Sequence, residues 1–404
     1  MPSEHARHWT LDPSVDYLNH GSFGATPRVV LEAQQGWRDR MESEPMRFMV
    51  TELEPELDRA RAVLGDFVGA QPDDLAFVSN ATNGVNAVLA SLRFEAGDEL
   101  LTTDHEYNAV RNVMQHVARR DGARVVTAEV PFPIGSADEV VEAVLSCVTP
   151  RTRLAILDHV TSATALVLPV ARLVAELAER GIDTLVDGAH APGMLDLRVE
   201  ELGAAYYAGN LHKWACAPKG AGFLWVRRDR QVLVRPLAIS HGANSPRLDR
   251  SRFRLEFDWT GTTDPTAWLA VPAAIEFGAR LLDGGWAALR ARNRALVLEA
   301  RDLVSAALSQ EAAAPDDMIG CMASIPLPWE RTPGAVQGVD LYGDAVHGAL
   351  LEAGLQTMIT PWPQRPEAGS WRRLIRLSAA AYNDRAQFER LAAILPGVVA
   401  AAAA

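Results

Sequence analysis

Lysine is almost absent from this chain. Among 404 residues only Lys213 and Lys219 carry a side-chain amine, and the rest of the 39 Lys and Arg residues are arginine. Arginine replaces lysine readily on a surface. It cannot do so where an amine must lose its proton and attack a carbonyl, because guanidinium stays charged. Lys213 lies in Gly209-Asn210-Leu211-His212-Lys213-Trp214, a polar step at the end of an apolar stretch. It is a candidate Schiff-base lysine, weighed against a chance survivor in an arginine-rich chain. Cysteine is scarce as well. Cys147, Cys216 and Cys321 are odd in number and widely spaced, which excludes a disulfide framework or a zinc site. The net charge of −12, with no basic run, argues against nucleic-acid binding. No apolar stretch approaches the ~20 residues of a membrane span. The opening Met1-Pro2-Ser3-Glu4 to His8 lacks the apolar core of a signal peptide. The expected location is cytoplasmic.

What is present is a large core and a regular alternation. With 48% apolar residues the chain can form one or two domains. From Gln71 to about Arg228 short apolar runs alternate with amphipathic helices. Strands are predicted at Leu75–Val78, Glu99–Thr102, Val125–Thr127, Leu154–Leu157, Thr184–Val186, Ala205–Ala208 and Phe223–Val226. The last should pair antiparallel after a Lys219-Gly220 turn. Helices are predicted from Ala81 to Leu92, Asn108 to Arg120 and Leu173 to Arg180. This pattern means an α/β fold with a doubly wound, mainly parallel sheet. Ligands bind such sheets beyond the carboxyl ends of the strands.

After Asp264-Pro265 the pattern becomes that of a smaller α+β unit. Helices are expected at Thr266 to Leu281, Trp286 to Leu308, Tyr342 to Ala353 and from Arg385. Strands are expected near Met322–Ile325 and at Arg373–Ser378, with proline-rich loops at Pro326–Pro333 and Pro361–Pro366. The expected division is an arm over 1–20, a large domain over 21–280 and a small carboxyl-terminal domain over 281–404.

Several polar clusters follow the strands. Asp187, in Val186-Asp187-Gly188-Ala189-His190, is either a helix cap or a buried carboxylate that keeps a heteroaromatic nitrogen protonated. Pyridoxal phosphate needs such a partner to act as an electron sink. One helix and one strand separate Asp187 from Lys213, so both can converge on one cofactor. Asn80 to Gly84 opens a helix whose amides and Thr82 hydroxyl suit a phosphate, or form an ordinary cap. His105 is either a ring-stacking residue or a satisfied loop histidine. Arg376, in Ile375-Arg376-Leu377-Ser378, needs an anion, either an internal carboxylate or a substrate's.

Taken together, these motifs resemble the class V aminotransferase-like group of fold-type I pyridoxal phosphate enzymes. The resemblance runs from Leu18-Asn19-His20-Gly21-Ser22-Phe23-Gly24 and Glu44-Pro45-Met46 to Ile375–Ser378. It passes through Asp104–Tyr107, Asp187–Gly193, Tyr207–Gly209 and His212-Lys213-Trp214. It implies the fold-type I architecture and a homodimer with shared sites. Lys213 would bind the cofactor and shuttle protons, and Asp187 would pair with the ring nitrogen. His190 would approach the phenolic oxygen, and His105 would stack on the ring. Ala81 (through its amide), Thr82, Asn210 and His212 would hold the phosphate. Thr262 would reach the phosphate of the neighbouring subunit. Arg376 would bind the substrate α-carboxylate, and Asn19, His20 and Phe23 would line the substrate pocket.

The resemblance leaves the reaction open. Cysteine desulfurases of this group carry a mobile nucleophilic cysteine. Here Cys321 reads as a buried strand residue, Cys216 follows the lysine and Cys147 lies on a helix, so that route is disfavoured. The expected substrate is an amino acid attacked at Cα. The preferred reading is carbon–sulfur lysis, or decarboxylation with deamination, of a cysteine-derived S-conjugate in secondary metabolism. An amino-acid epimerase of the isopenicillin N type, an aminotransferase and, remotely, a non-catalytic cofactor-binding regulator are the alternatives.

Overall fold

The computed structural model describes residues 3–331, 343–364 and 371–403. The amino-terminal arm begins with a short helical turn, Glu4–His8, and a two-residue strand, β1 (Asp16–Tyr17). It has no core of its own. Trp9 is buried edge-on against Phe277 and Tyr382, with ring centroids 5.4 and 5.2 Å away.

Seven strands form the central sheet: β2 (Leu75–Val78), β3 (Glu99–Thr103), β4 (Arg124–Ala128), β5 (Thr152–Asp158), β6 (Asp183–Gly188), β7 (Tyr206–Asn210) and β8 (Gly222–Val226). Their order is β2-β8-β7-β6-β5-β3-β4. β8 runs antiparallel to both its neighbours, and every other pairing is parallel. All residues of β2, β3, β7 and β8 are buried, as a sheet covered on both faces requires. Consecutive side chains enter opposite cores. Leu100, Ile156, Leu185 and Tyr206 pack with helices Ala81–Ser91 and Asn108–Asp121. Leu101, Leu157, Val186 and Tyr207 pack on the other side with helices Leu53–Val68 and Val170–Glu179.

The smaller carboxyl-terminal unit has its own sheet. β9 (Met322–Arg331), β11 (Met358–Trp362) and β12 (Trp371–Ser378) pair antiparallel in the order β11-β12-β9. Helices Gly285–Leu308, Ala345–Glu352 and Arg385–Ala403 accompany it. β10 (Leu355–Gln356) pairs in parallel with β1, tying the arm to this unit.

Three expectations need correction. Residues 326–331 are strand, not loop, and so are 361–362. Both strands are sheet edges, where Pro326, Pro328 and Pro361 can leave one side of the ladder without an N–H. Residues 363–364 are loop as expected, while 332–333, 365–366 and Tyr342 lie outside the described residues. The helix expected over 266–281 is two pieces, Thr266–Leu269 and Val271–Arg280, and Pro272 sits in the first turn of the second.

Candidate active site

The polar clusters converge at the carboxyl ends of β3, β5, β6 and β7. Parallel register aligns Asp158 with Asp187, and Asp187 with Ala208. Glu106 follows β3, which pairs with β5. Carboxyl oxygens of Glu106, Asp158 and Asp187 therefore all lie within 4.8 Å of one another, and all three residues are buried. Three full charges there would repel by roughly 3–4 kcal/mol per pair at an effective dielectric of about 20. Burial, then the charge of Asp187, holds Glu106 well above the usual carboxylate range. Burial and the other two carboxylates do the same for Asp158. Asp187 is also raised by burial, but its Oδ1 accepts the Ala189 N–H at 2.9 Å, which favours its anion. The negative charge belongs on Asp187.

Lys213 lies in the turn between β7 and β8. Its half-buried Nζ is 3.1 Å from His190 Nε2. Burial and the charge of Arg376 lower its pKa to about 7, against the opposing pull of Asp187 and Asp158. A large share of this amine is then unprotonated at neutral pH and nucleophilic. The backbone is held from both sides. Gly193, at φ +87°, lies so close that a Cβ there would stand 2.5 Å from the Trp214 carbonyl carbon. Gly24, at φ +69°, would place a Cβ 3.0 Å from Lys213 Cα. Neither position accepts a side chain.

The histidines around the lysine are neutral. His105 is buried, with Nε2 3.0 Å from the Val130 carbonyl and Nδ1 2.7 Å from Thr164 Oγ1. The carbonyl accepts only, so Nε2 carries the proton and Thr164 donates to Nδ1. Trp362 packs edge-to-face on this ring at 4.3 Å. Burial lowers both His105 and His212 to about 4. His190 is pushed well below its ordinary value by burial and by Lys213.

Arg376 is buried on β12, and three oxygens of the large unit and the arm are among its acceptors. These are Asn19 Oδ1 at 3.1 Å, Ser22 Oγ at 2.8 Å and the Ser162 carbonyl at 2.7 Å. Its charge acts on both Lys213 and His190, so the carboxyl-terminal unit presents a cation at the same site.

Not every candidate falls where expected. Ala81 N–H donates to Asn210 Oδ1 at 2.8 Å, so these two residues engage each other at the opening of helix Ala81–Ser91. Thr82 stands beside them, half-buried, in the same first turn, whose N–H groups lack helical partners. His212 Nδ1 lies 3.2 Å from the Ala221 carbonyl. His20 is buried beside the Lys213 turn. Its ring nitrogens meet Tyr382 Oη and the Lys213 carbonyl. Phe23 is 57% exposed, and Thr262 is exposed on a loop with no contact to Lys213 among the described residues. The sequence reading overlooked Glu106, Asp158, Ser162 and Thr164. Asp158 follows an apolar strand just as Asp187 does, and that signal was there to use.

Residues 17–391 match the family model described as aminotransferase class V. The chain belongs to the class V aminotransferase family. It is 39% identical over 400 residues to isopenicillin N epimerase of Amycolatopsis lactamdurans, covering 96% of each chain. It is 30% identical to a probable chloroplastic L-cysteine desulfhydrase of Arabidopsis thaliana, over 99% of this chain and 85% of the relative. Among solved structures, the cysteine desulfurase CsdA of Escherichia coli superposes with a TM-score of 0.77 at 20% identity, covering 98% and 97% of the two chains. The cystine C–S lyase C-DES superposes with a TM-score of 0.74 at 22% identity, covering 95% and 97%. At such identities the structures establish the fold, which is fold type I. This class V enzyme is pyridoxal-phosphate-dependent.

The residues present fit that cofactor. Buried His190 Nδ1 and Asp158 Oδ2 have no hydrogen-bond partner among the described residues, as in a site shaped around a further polar group. A buried anion and a nucleophilic amine converge there, and the first turn of helix Ala81–Ser91 stands beside them, with Ala81 N–H held by Asn210 and Asn83 N–H by Asn80.

Proposed function

We propose that the protein is a lyase that cleaves the carbon–sulfur bond of a cysteine-derived S-conjugate. Bound pyridoxal phosphate supplies a carbonyl for the substrate amino group and an electron sink for charge left at Cα. Lys213 would hold the cofactor and then accept the Cα proton. Asp187 would keep the ring nitrogen protonated, and His105 would pack on the ring. His190 would face the phenolic oxygen. Thr82 and His212 would take the phosphate, with Ala81 and Asn210 shaping its cradle. Arg376, braced by Asn19, would hold the substrate carboxylate.

The observation that carries this reading is the proton inventory around Lys213. One amine titrates near neutrality, while His20, His105 and His212 titrate near 4 and His190 stays far below its ordinary value. Elimination needs one proton acceptor at Cα. Inversion needs a second, protonated group on the opposite face of Cα, because Lys213 returns a proton only to the face it took one from, and histidines held at about 4 are poor donors at pH 7. The thiols support elimination without sulfur capture. Burial holds Cys216 and Cys321 up at about 12, and Cys147 caps helix Ala137–Ser146.

The reaction breaks Cα–H and Cβ–S and adds water, giving thiol, pyruvate and ammonium without oxidation or reduction. An S-substituted L-cysteine should release equimolar thiol, pyruvate and ammonia, and a Cys147/Cys216/Cys321 triple alanine variant should retain this activity. Carbon dioxide with an aldehyde product, or a keto acid without thiol, would overturn the reading. The 39% identity to an epimerase over almost the full chain favours a second reading, amino-acid epimerisation. Inverted substrate without thiol release would establish it.

We also propose a homodimer in which Thr262 completes the neighbouring phosphate site. Support comes from its exposure and from the exposed apolar residues Met46, Val50 and Leu248, whose segments are joined by the Glu54–Arg247 ion pair. Light scattering should give twice the chain mass; a monomer with full activity would rule the dimer out. The same reading divides the chain into an arm (1–20), a cofactor domain (21–280) and a small domain (281–404), supported by the separate seven-stranded and three-stranded sheets.

A further inference from the structure

His20 is buried and stands between the small unit and the catalytic turn. Its Nε2 lies 3.0 Å from the Lys213 backbone carbonyl, and its Nδ1 lies 2.7 Å from Tyr382 Oη. A carbonyl can only accept, so Nε2 carries the proton. Nδ1 is then an acceptor, and Tyr382 must donate to it. One tautomer satisfies both contacts. The ring tilts over Trp214 at 4.8 Å, the residue after the lysine.

The same carbonyl also accepts the Cys216 N–H at 3.0 Å, closing the turn after Lys213. Cys216 sits at φ +58°, a conformation that side chains other than glycine's adopt only when neighbours impose it. The segment from His20 to Gly24 packs on this turn. Besides His20, Lys219 Nζ donates to the Gly24 carbonyl at 2.8 Å, and Gly24 lies against the His212–Lys213 backbone.

We propose that His20 is a positioning residue for Lys213: locked in one tautomer by Tyr382, it fixes the carbonyl from which the lysine side chain is aimed. Burial keeps the ring neutral, with its pKa lowered to about 4, so the lock persists through the neutral range. The other end of the same short turn, Asn19 and Ser22, accepts from Arg376. The segment from Asn19 to Gly24 therefore sets the lysine and the carboxylate-binding arginine from one piece of chain.

The proposal rests on Lys213 as the cofactor-binding lysine, and not on which bond is cleaved. Its test uses borohydride capture of the purified holoenzyme. The fraction of Lys213 carrying reduced cofactor is read by mass, and total cofactor is read after denaturation without reduction. His20→Ala should keep most of its cofactor while the captured fraction falls on the order of fivefold, the worth of one neutral hydrogen bond. Its kcat should fall more than its KM rises. His20→Gln, which can present a donor near the Nε2 position, should restore most of the capture. Tyr382→Phe should act in the same direction but less, and should add little to His20→Ala. Capture equal to wild type in His20→Ala overturns the proposal. So does His20→Gln behaving no better than alanine, since packing alone would then explain the loss. If His20→Ala does not fold, wild-type capture in Tyr382→Phe overturns it. Wild-type protein with no label on Lys213 overturns the lysine assignment, and the proposal with it.

Discussion

At the scale of single residues, environment decides function. Lys213 and Lys219 have the same side chain, yet only Lys213 faces Asp187, Asp158 and Arg376. Lys219 reaches the Gly24 carbonyl instead, as a strut. Arg376 is a buried cation whose fork is aligned by Asn19, Ser22 and Ser162. Arg376→Lys cannot reproduce that fork. The Michaelis constant for an α-amino acid should rise roughly 10- to 100-fold, because one or two charge-assisted hydrogen bonds are lost. Steady-state kinetics check this, and an unchanged Michaelis constant would place the substrate carboxylate elsewhere.

At the scale of elements, the turn between β7 and β8 carries the lysine, and its neighbours are shaped to fit it. Gly193 belongs to the loop after β6 and touches the Trp214 backbone at a positive φ. Gly193→Ala must both adopt a disfavoured backbone and push that turn away. The backbone part alone costs about 1–2 kcal/mol. Thermal unfolding should shift downward and cofactor loading should fall with it. A variant with wild-type melting and full loading would show that the turn has slack. The edge strands make the reverse point. Pro326, Pro328 and Pro361 mark loops in the sequence, but an edge strand tolerates them.

At the scale of the whole molecule, the buried acids make folding depend on pH. Glu106 has a folded pKa raised above its ordinary 4.5. Its contribution is fully present below that value and is lost as pH rises through the folded pKa. The histidines act oppositely. His20, His105, His159 and His212 fall from 6.5 to about 4, so their contribution is present above 6.5 and is lost as pH falls toward 4. The cofactor-free protein should therefore lose stability in acid between about 6.5 and 4. Glu106→Gln should gain on wild type as pH rises above 4.5, measured by denaturant unfolding at several pH values. A difference that stays constant with pH would mean that Glu106 is ionised in the folded protein.

The sequence alone was enough for the sheet, the family and the cofactor. Alternating apolar runs and helices are local patterns, and the Asp187–His190 and His212–Trp214 motifs are short and contiguous. The lysine shortage pointed at Lys213 because guanidinium cannot replace a nucleophilic amine. Tertiary structure decided what depends on distant segments meeting. Asp158 joins Asp187 only through the register of β5 and β6. His20 meets the Lys213 carbonyl with one nitrogen while Tyr382, over three hundred residues away in the chain, holds the other. A hydrogen bond or a shared charge between remote residues leaves no periodicity in sequence, since it is made by the packing of elements and not by the elements themselves.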